Sequence, residues 1–93
     1  MQRRVRIAAS VGLHARPAAL LAQAAAAQSE LVTIAKIVDG AAGPPVDARS
    51  TLGLMALGAK HGEEVELTSS SEAALDELAT VLEHDPDKDP APS

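Results

Sequence analysis

The sequence predicts an α+β domain, a four-stranded antiparallel sheet with three helices on one face. Three observations carry that expectation. Apolar residues alternate with polar ones at Arg4–Ala9 and again at Glu64–Thr68, the period of a half-buried strand. An alanine-rich run follows Pro17, and Leu75, Leu78, Ala79 and Leu82 recur at helical spacing. The resulting order is strand, helix, strand, strand, helix, strand, helix, which matches a split β-α-β arrangement.

Each element has its own reason. In Arg4-Val5-Arg6-Ile7-Ala8-Ala9, Val5 and Ile7 fall on the inner face, and Ser10 to Leu13 then forms a loop. The first helix runs from Pro17 to about Gln28, because alanine, leucine and glutamine favour helix and proline is tolerated only near its start. Leu31 to Ile37 is the second strand, with Val32/Ile34 and Leu31/Thr33/Ile37 competing for the inner face. Asp39-Gly40-Ala41-Ala42-Gly43-Pro44-Pro45 reads as a turn or longer loop, the elaborated tip of a hairpin whose returning strand is marked by Val46 alone.

Asp47 to Leu57 is a short helix capped by Asp47 or Ser50 and closed by Gly58, with Leu52, Met55 and Leu54 exposed or half exposed. The alternation of Glu64-Val65-Glu66-Leu67-Thr68 makes the clearest strand. Ser69 and Glu72 stand at capping-box spacing ahead of the last helix. Residues 1–84 therefore form one domain, and residues 85–93, an acidic Pro-rich run, form a disordered tail.

Composition narrows the function. The chain has 93 residues, which supports one small core but no second lobe around a deep cleft. It contains no Phe, Trp or Tyr, so the core is built from aliphatic side chains and alanine. It has no cysteine, which excludes disulfides and thiolate chemistry and fits a cytoplasmic protein. Arg3-Arg4-Val5-Arg6 and the later alanines loosely imitate a secretory signal, but His14, Arg16 and Pro17 interrupt the apolar stretch, and nothing is long enough for membrane insertion.

Residues 1–62 carry seven basic and three acidic side chains, and residues 63–93 carry one basic and ten acidic. The cationic part suits an acidic partner surface. Without aromatic platforms or a dense basic stripe, no nucleic-acid partner is expected. His14, His61 and His84 lie at no metal-ligand spacing, so neither a metal nor another cofactor is expected. No Walker-type glycine loop is present, which argues against independent kinase activity.

The chemistry concentrates in Gly12-Leu13-His14-Ala15-Arg16-Pro17. Here a histidine and an arginine stand where a loop enters a helix. The first amides of a helix lack intrahelical partners, and the partial positive charge there disfavours imidazolium while favouring an attached phosphoryl dianion by roughly 0.3–1 kcal/mol. Arg16 adds a permanently charged fork able to bond phosphoryl oxygens. Pro17 removes one donor, which directs the group toward the amides of Ala15, Arg16 or Ala18. Read without a fold, the same residues also suit an ordinary surface histidine beside a helix cap.

Gly12-Leu13-His14-Ala15-Arg16-Pro17-Ala18 resembles the active-site signature of HPr, the histidine-containing phosphocarrier family of the bacterial phosphoenolpyruvate-dependent sugar phosphotransferase system. Arg49-Ser50-Thr51-Leu52-Gly53-Leu54-Met55-Ala56-Leu57-Gly58 resembles the regulatory-serine segment of the same family. By element order the match covers roughly residues 3–83.

The resemblance implies an HPr-like open-faced β-sandwich in which His14 is the phosphorylated nucleophile, reacting through Nδ1, and Arg16 assists transfer. It implies phosphoryl contacts from Ala15, Arg16, Pro17 and Ala18, and a docking patch of Leu20, Arg49, Leu52 and Met55. Ser50 matches the serine that a dedicated kinase modifies in some lineages, and helix capping is its other role. The implied partners are enzyme I, which donates, and the A components of sugar permeases, which accept. A serine kinase acting on Ser50 joins them, and the carrier is expected to be a monomer. The rival within the resemblance is a carrier of a regulatory, nitrogen-type branch, or a phosphoryl donor to a dihydroxyacetone kinase. An acyl carrier protein fits less well, since Arg49, not Asp, precedes Ser50 and strands are present.

The chain departs from the family in places. Gln23 and Ala26 stand where lysines are frequent, leaving partner steering to Arg16 and Arg49. Ala19 replaces a small hydroxyl residue, and the Gly40–Pro45 loop and acidic tail are additions.

Overall fold

A computed structural model describes residues 1–85; the expected tail lies, beyond Asp85, outside the described residues. The strands are β1 (Gln2–Arg6), β2 (Thr33–Val38), β3 (Ala41–Ala42), β4 (Val46–Asp47) and β5 (Glu64–Thr68). The helices are α1 (Ala15–Ala26), α2 (Thr51–Ala56) and α3 (Glu72–Leu82). All pairings are antiparallel, β1 with β5, β5 with β2, and β2 with both β3 and β4. Because β3 and β4 occupy opposite ends of one position beside β2, the sheet is the expected four strands wide, with its outer strand in two pieces.

Register explains the two faces. Val5 opposite Val65 and Ile34 opposite Leu67 point to the helices, and all four are buried. Arg4 opposite Glu66 and Arg6 opposite Glu64 point to the open face, where Arg4 Nε lies 3.2 Å from Glu66 Oε2. Such exposed pairs are worth about 0–1 kcal/mol, so the apolar face does most of the stabilising. α1 packs against both α2 and α3. Ile7, Leu21, Ile34, Leu54, Leu67, Leu75 and Leu78 are fully buried. Each such side chain contributes roughly 1.5–3 kcal/mol.

Several expectations are corrected. The competition in β2 resolves in favour of Val32 and Ile34, which are buried, while Leu31 is exposed. The segment after Val38 is not a long loop. Asp39 and Gly40, with φ of 53° and 81°, make a two-residue turn that brings Ala41 opposite Val38. The irregularity falls instead in the returning strand, where Pro44 and Pro45 have no N–H to continue a ladder. Leu54 is buried, not exposed, because it sits on the face of α2 opposite Leu52. The cap of α3 is Ser71, whose Oγ accepts the Ala74 N–H at 3.2 Å. Ser69 is buried and its Oγ accepts the Ser71 N–H at 3.1 Å.

Candidate phosphoryl-transfer site

The loop from Ile7 to His14 is tied down before the helix begins. The Ile7 N–H donates to the Glu63 carbonyl at 2.9 Å, and the Gly62 N–H donates to the Ile7 carbonyl at 2.8 Å. Gly12 has φ of 79°, and a Cβ there would lie 2.8 Å from the Ala59 carbonyl oxygen. Only glycine meets both demands. The next residue, Leu13, is buried and donates its N–H to the Ala59 carbonyl at 2.9 Å. Asp85, the first residue of the expected tail, accepts the Ser10 N–H through Oδ2 at 3.1 Å.

His14 follows as the N-cap of α1, with extended backbone (φ −117°, ψ −158°) and an exposed side chain that makes no capping bond. α1 thus starts at Ala15, two residues earlier than expected, and Pro17 occupies its third position. Proline is tolerated there because first-turn N–H groups have no intrahelical acceptor. The intrahelical ladder opens with the Ala18 N–H donating to the His14 carbonyl at 2.8 Å. Ala18 is buried and its amide is committed to that bond, so of the residues proposed as phosphoryl contacts, Ala15 and Arg16 supply the amides ahead of the ladder. Arg16 is exposed in the same first turn.

α2 is built around Ser50. Its Oγ accepts the Gly53 N–H at 3.0 Å, so Ser50 caps the helix and Asp47 does not. Asp47 instead binds Arg49, with Nη2 at 2.7 Å from Oδ2 and the Arg49 N–H at 2.9 Å from Oδ1. The Arg49 side chain and then its backbone N–H hold the Asp47 carboxyl below the usual range. Leu52 is 80% exposed and Met55 40%, on a helix that packs against α1. Leu20 is 41% exposed but lines a cleft between α1 and α3 with Leu13, Pro17 and Val81. The apolar residues expected to dock partners therefore lie on two helices, and Leu20 opens toward the α3 side.

One set of residues was not anticipated. Glu63 Oε1 accepts the Lys60 N–H at 2.7 Å and lies 3.5 Å from Lys36 Nζ, which donates to the Gly58 carbonyl at 3.3 Å. No local pattern joins these positions, since Lys36 comes from β2 and meets the others only in the folded sheet. Among the described residues there is no cluster of three His, Cys, Asp or Glu side chains fit to hold a metal, and no helix is long and apolar enough to cross a membrane.

A small open sheet with an exposed histidine at a helix N-terminus suits a surface carrier of a chemical group. The family model described as the PTS HPr component phosphorylation site matches residues 1–84, and the chain belongs to that family. It is 46% identical over 84 residues to the phosphocarrier protein HPr of Streptomyces coelicolor, covering 87% of this chain and 86% of that one. It is 35% identical over 88 residues to the HPr-like protein Crh of Bacillus subtilis, covering 91% and 98%. Among solved structures, the phosphocarrier protein HPr from Bacillus anthracis superposes with a TM-score of 0.77 at 35% identity, covering 88% of this chain and 95% of that one. HPr-C-His from Thermoanaerobacter tengcongensis gives 0.75 at 32% identity, with 89% and 91% covered. The chain is accordingly a phosphoryl carrier of the phosphotransferase system, and its partners are enzymes of that system. The regulatory-branch and dihydroxyacetone-kinase reading is not favoured by these matches.

Proposed function

We propose that His14 accepts a phosphoryl group from phosphorylated enzyme I and passes it to the A components of sugar permeases. The observation that supports this most directly is the exposed His14 side chain at the N-cap, which makes no capping bond and precedes the first ladder donor, Ala18. A neutral ring nitrogen, Nδ1 in the family's pattern, attacks phosphorus as the bond to the donor breaks, and the ring N–H proton is held by the imidazolium-like product until the next transfer. Arg16 and the Ala15 and Arg16 amides bond the equatorial oxygens, where charge is largest during transfer. The same contacts hold the phosphohistidine afterwards, so donor and acceptor each meet a group already oriented.

Leu20, Leu52 and Met55 form the apolar contacts for both partners, and Arg49 lies at the edge of the α2 contribution. Ser50 serves first as a cap, and a serine kinase that modified it would place a dianion at the docking helix and repel acidic partners. The carrier works as a cytoplasmic monomer of one domain, residues 1–84, whose partners dock in turn.

Incubation with phosphoenolpyruvate and enzyme I tests this. Wild type takes up one acid-labile phosphoryl group, and His14→Ala takes up none. Full labelling of His14→Ala sinks the assignment. Arg16→Ala should fold normally and transfer about 10–100-fold more slowly, the loss expected for one charge-assisted contact of ~1.5–3 kcal/mol.

A further inference from the structure

His14 is held from behind by a loop that contains none of the reacting groups. Residues 58–63 connect α2 to β5, and the Ala59 carbonyl in that loop accepts the N–H of Leu13, the residue directly before the N-cap. The same carbonyl and the Lys60 Cα wall the position where a Gly12 side chain would stand, 2.8 and 3.1 Å from an ideal Cβ. Any movement of Ala59 or Lys60 is therefore transmitted through Gly12 and Leu13 to the start of α1.

Two charged side chains fix that loop. The Glu63 carboxylate reaches back three residues to accept the Lys60 N–H at 2.7 Å, while the Glu63 N–H donates to the Lys60 carbonyl at 3.0 Å. Lys36, arriving from the central strand β2, ties the Gly58 carbonyl at 3.3 Å and the Glu63 carboxylate at 3.5 Å. Gly58 in turn directly follows the last residue of α2's C-terminal cap, Leu57. The clasp thus spans the end of the docking helix, the loop and, through Ala59, the phosphoryl acceptor. The Lys60 N–H first, and Lys36 after it, hold the Glu63 carboxyl below the usual carboxylate range.

We propose that Glu63 and Lys36 are positioning residues for phosphoryl transfer, which set the geometry of His14 by fixing Ala59 against Leu13. This inference rests on the proposed role of His14 and adds to it residues that touch neither the phosphoryl group nor the ring. A displacement of about 1 Å at a reacting atom costs on the order of 100-fold in rate, so a clasp two residues removed has leverage on transfer without contributing contacts to it.

The test compares Glu63→Ala, Glu63→Gln and Lys36→Met with wild type. Rates of transfer from enzyme I are measured at saturating and subsaturating carrier, and the Leu13 amide and His14 ring resonances are recorded by heteronuclear NMR. Glu63→Ala should transfer at least fivefold more slowly at saturation with KM within twofold of wild type, and both resonances should shift. Glu63→Gln retains an oxygen acceptor for the Lys60 N–H and should recover to within about threefold. Lys36→Met should fall between them.

Wild-type rates and unmoved Leu13 and His14 resonances in a folded Glu63→Ala overturn the proposal, as does a Glu63→Gln no better than the alanine variant. If Glu63→Ala does not fold, Lys36→Met decides by the same two readouts. Failure of wild type itself to accept a phosphoryl group would instead overturn the role of His14, and the NMR comparison would still decide whether the clasp positions the ring.

Discussion

Arg49 and Asp47 form a two-point ion pair, with Arg49 Nη2 2.7 Å from Asp47 Oδ2 and Arg49 Nε 3.1 Å from Oδ1. The cation expected to steer acidic partners is thus opposed by a carboxylate of its own chain. Asp47→Asn keeps an oxygen for the Arg49 N–H and removes the opposing charge. We predict faster association with enzyme I at low ionic strength, by about two- to fivefold, because steering follows the local net charge. The gain should disappear as salt shortens the Debye length, to about 8 Å near 0.15 M. Stopped-flow association over a salt series checks it; a gain that persists at high salt would point to altered contacts.

Ser50 can be separated into cap and charge. Its Oγ accepts the Gly53 N–H, so Ser50→Ala should lower stability by ~1 kcal/mol. Ser50→Asp retains an oxygen acceptor and a favourable N-terminal charge, and should be as stable as wild type while binding its partners more weakly. Urea unfolding and titration calorimetry with enzyme I read the two effects independently. Equal affinity of Ser50→Asp at low salt would leave capping as the only role.

Gly12→Ala combines a φ of 79° with a Cβ 2.8 Å from the Ala59 oxygen. The backbone strain alone is of order 1–3 kcal/mol, and the close approach adds to it. Chemical denaturation should show a loss of at least ~2 kcal/mol, or the loop should shift and the Leu13–Ala59 hydrogen bond should open. Hydrogen exchange at the Leu13 amide distinguishes these two outcomes. Wild-type stability with wild-type exchange would contradict the close contact.

Acid should weaken the fold through Glu63 and Asp47. The Lys60 N–H, then Lys36, lower the pKa of the first, and the Arg49 side chain, then its N–H, lower that of the second. For a carboxyl whose folded pKa is depressed, the native state binds fewer protons than the unfolded chain. Its stabilisation is present above the unfolded value and is lost as pH falls through the folded one. Urea midpoints should decline on acidification from the ordinary carboxylate range, near pH 4 to 4.5. The slope should be shallower in Glu63→Gln and in Asp47→Asn. An unchanged slope in both variants would remove these groups from the acid response.

How much of this was legible in the sequence depended on how local each cause was. β5 matches its expected bounds because Glu64, Glu66 and Thr68 alternate strictly with Val65 and Leu67, and only one face is apolar. β2 was ambiguous because Ala35 is buried on the opposite face from Ile34, so alternation is weak in that central strand. The start of α1 was displaced because Pro17 is equally acceptable at several first-turn positions. Ser69, Ser70 and Ser71 offered three hydroxyls, and burial of Ser69 decided among them.

The pair proposed to react, His14 and Arg16, stands out in the sequence because two residues apart at a helix entry is a local arrangement, and both are exposed where α1 begins. The place of the Ala18 amide depends on the same two-residue shift of the helix start, since with α1 beginning at Ala15 the Ala18 N–H is the first ladder donor. The Glu63 clasp could not be read at all, because Lys36 and Glu63 are joined only by the pairing of β2 with β5. The burial of Leu54 is hard to read from the sequence because Leu52, Leu54 and Met55 crowd a helix of six residues, too short for a periodicity to separate its faces.

The two prolines that divide the outer strand have a consequence for how this protein behaves in a crowd. An open sheet offers its last strand as a template on which another chain can be laid, and a carrier that must meet many partners briefly is poorly served by such permanent adhesion. Pro44 and Pro45 present no N–H to an arriving strand, and β3 and β4 on either side are only two residues long. Replacing both prolines would lengthen the edge that neighbouring molecules could extend. Their cost to the ladder is small beside the protection they give this edge, the other edge being the unbroken five-residue β1.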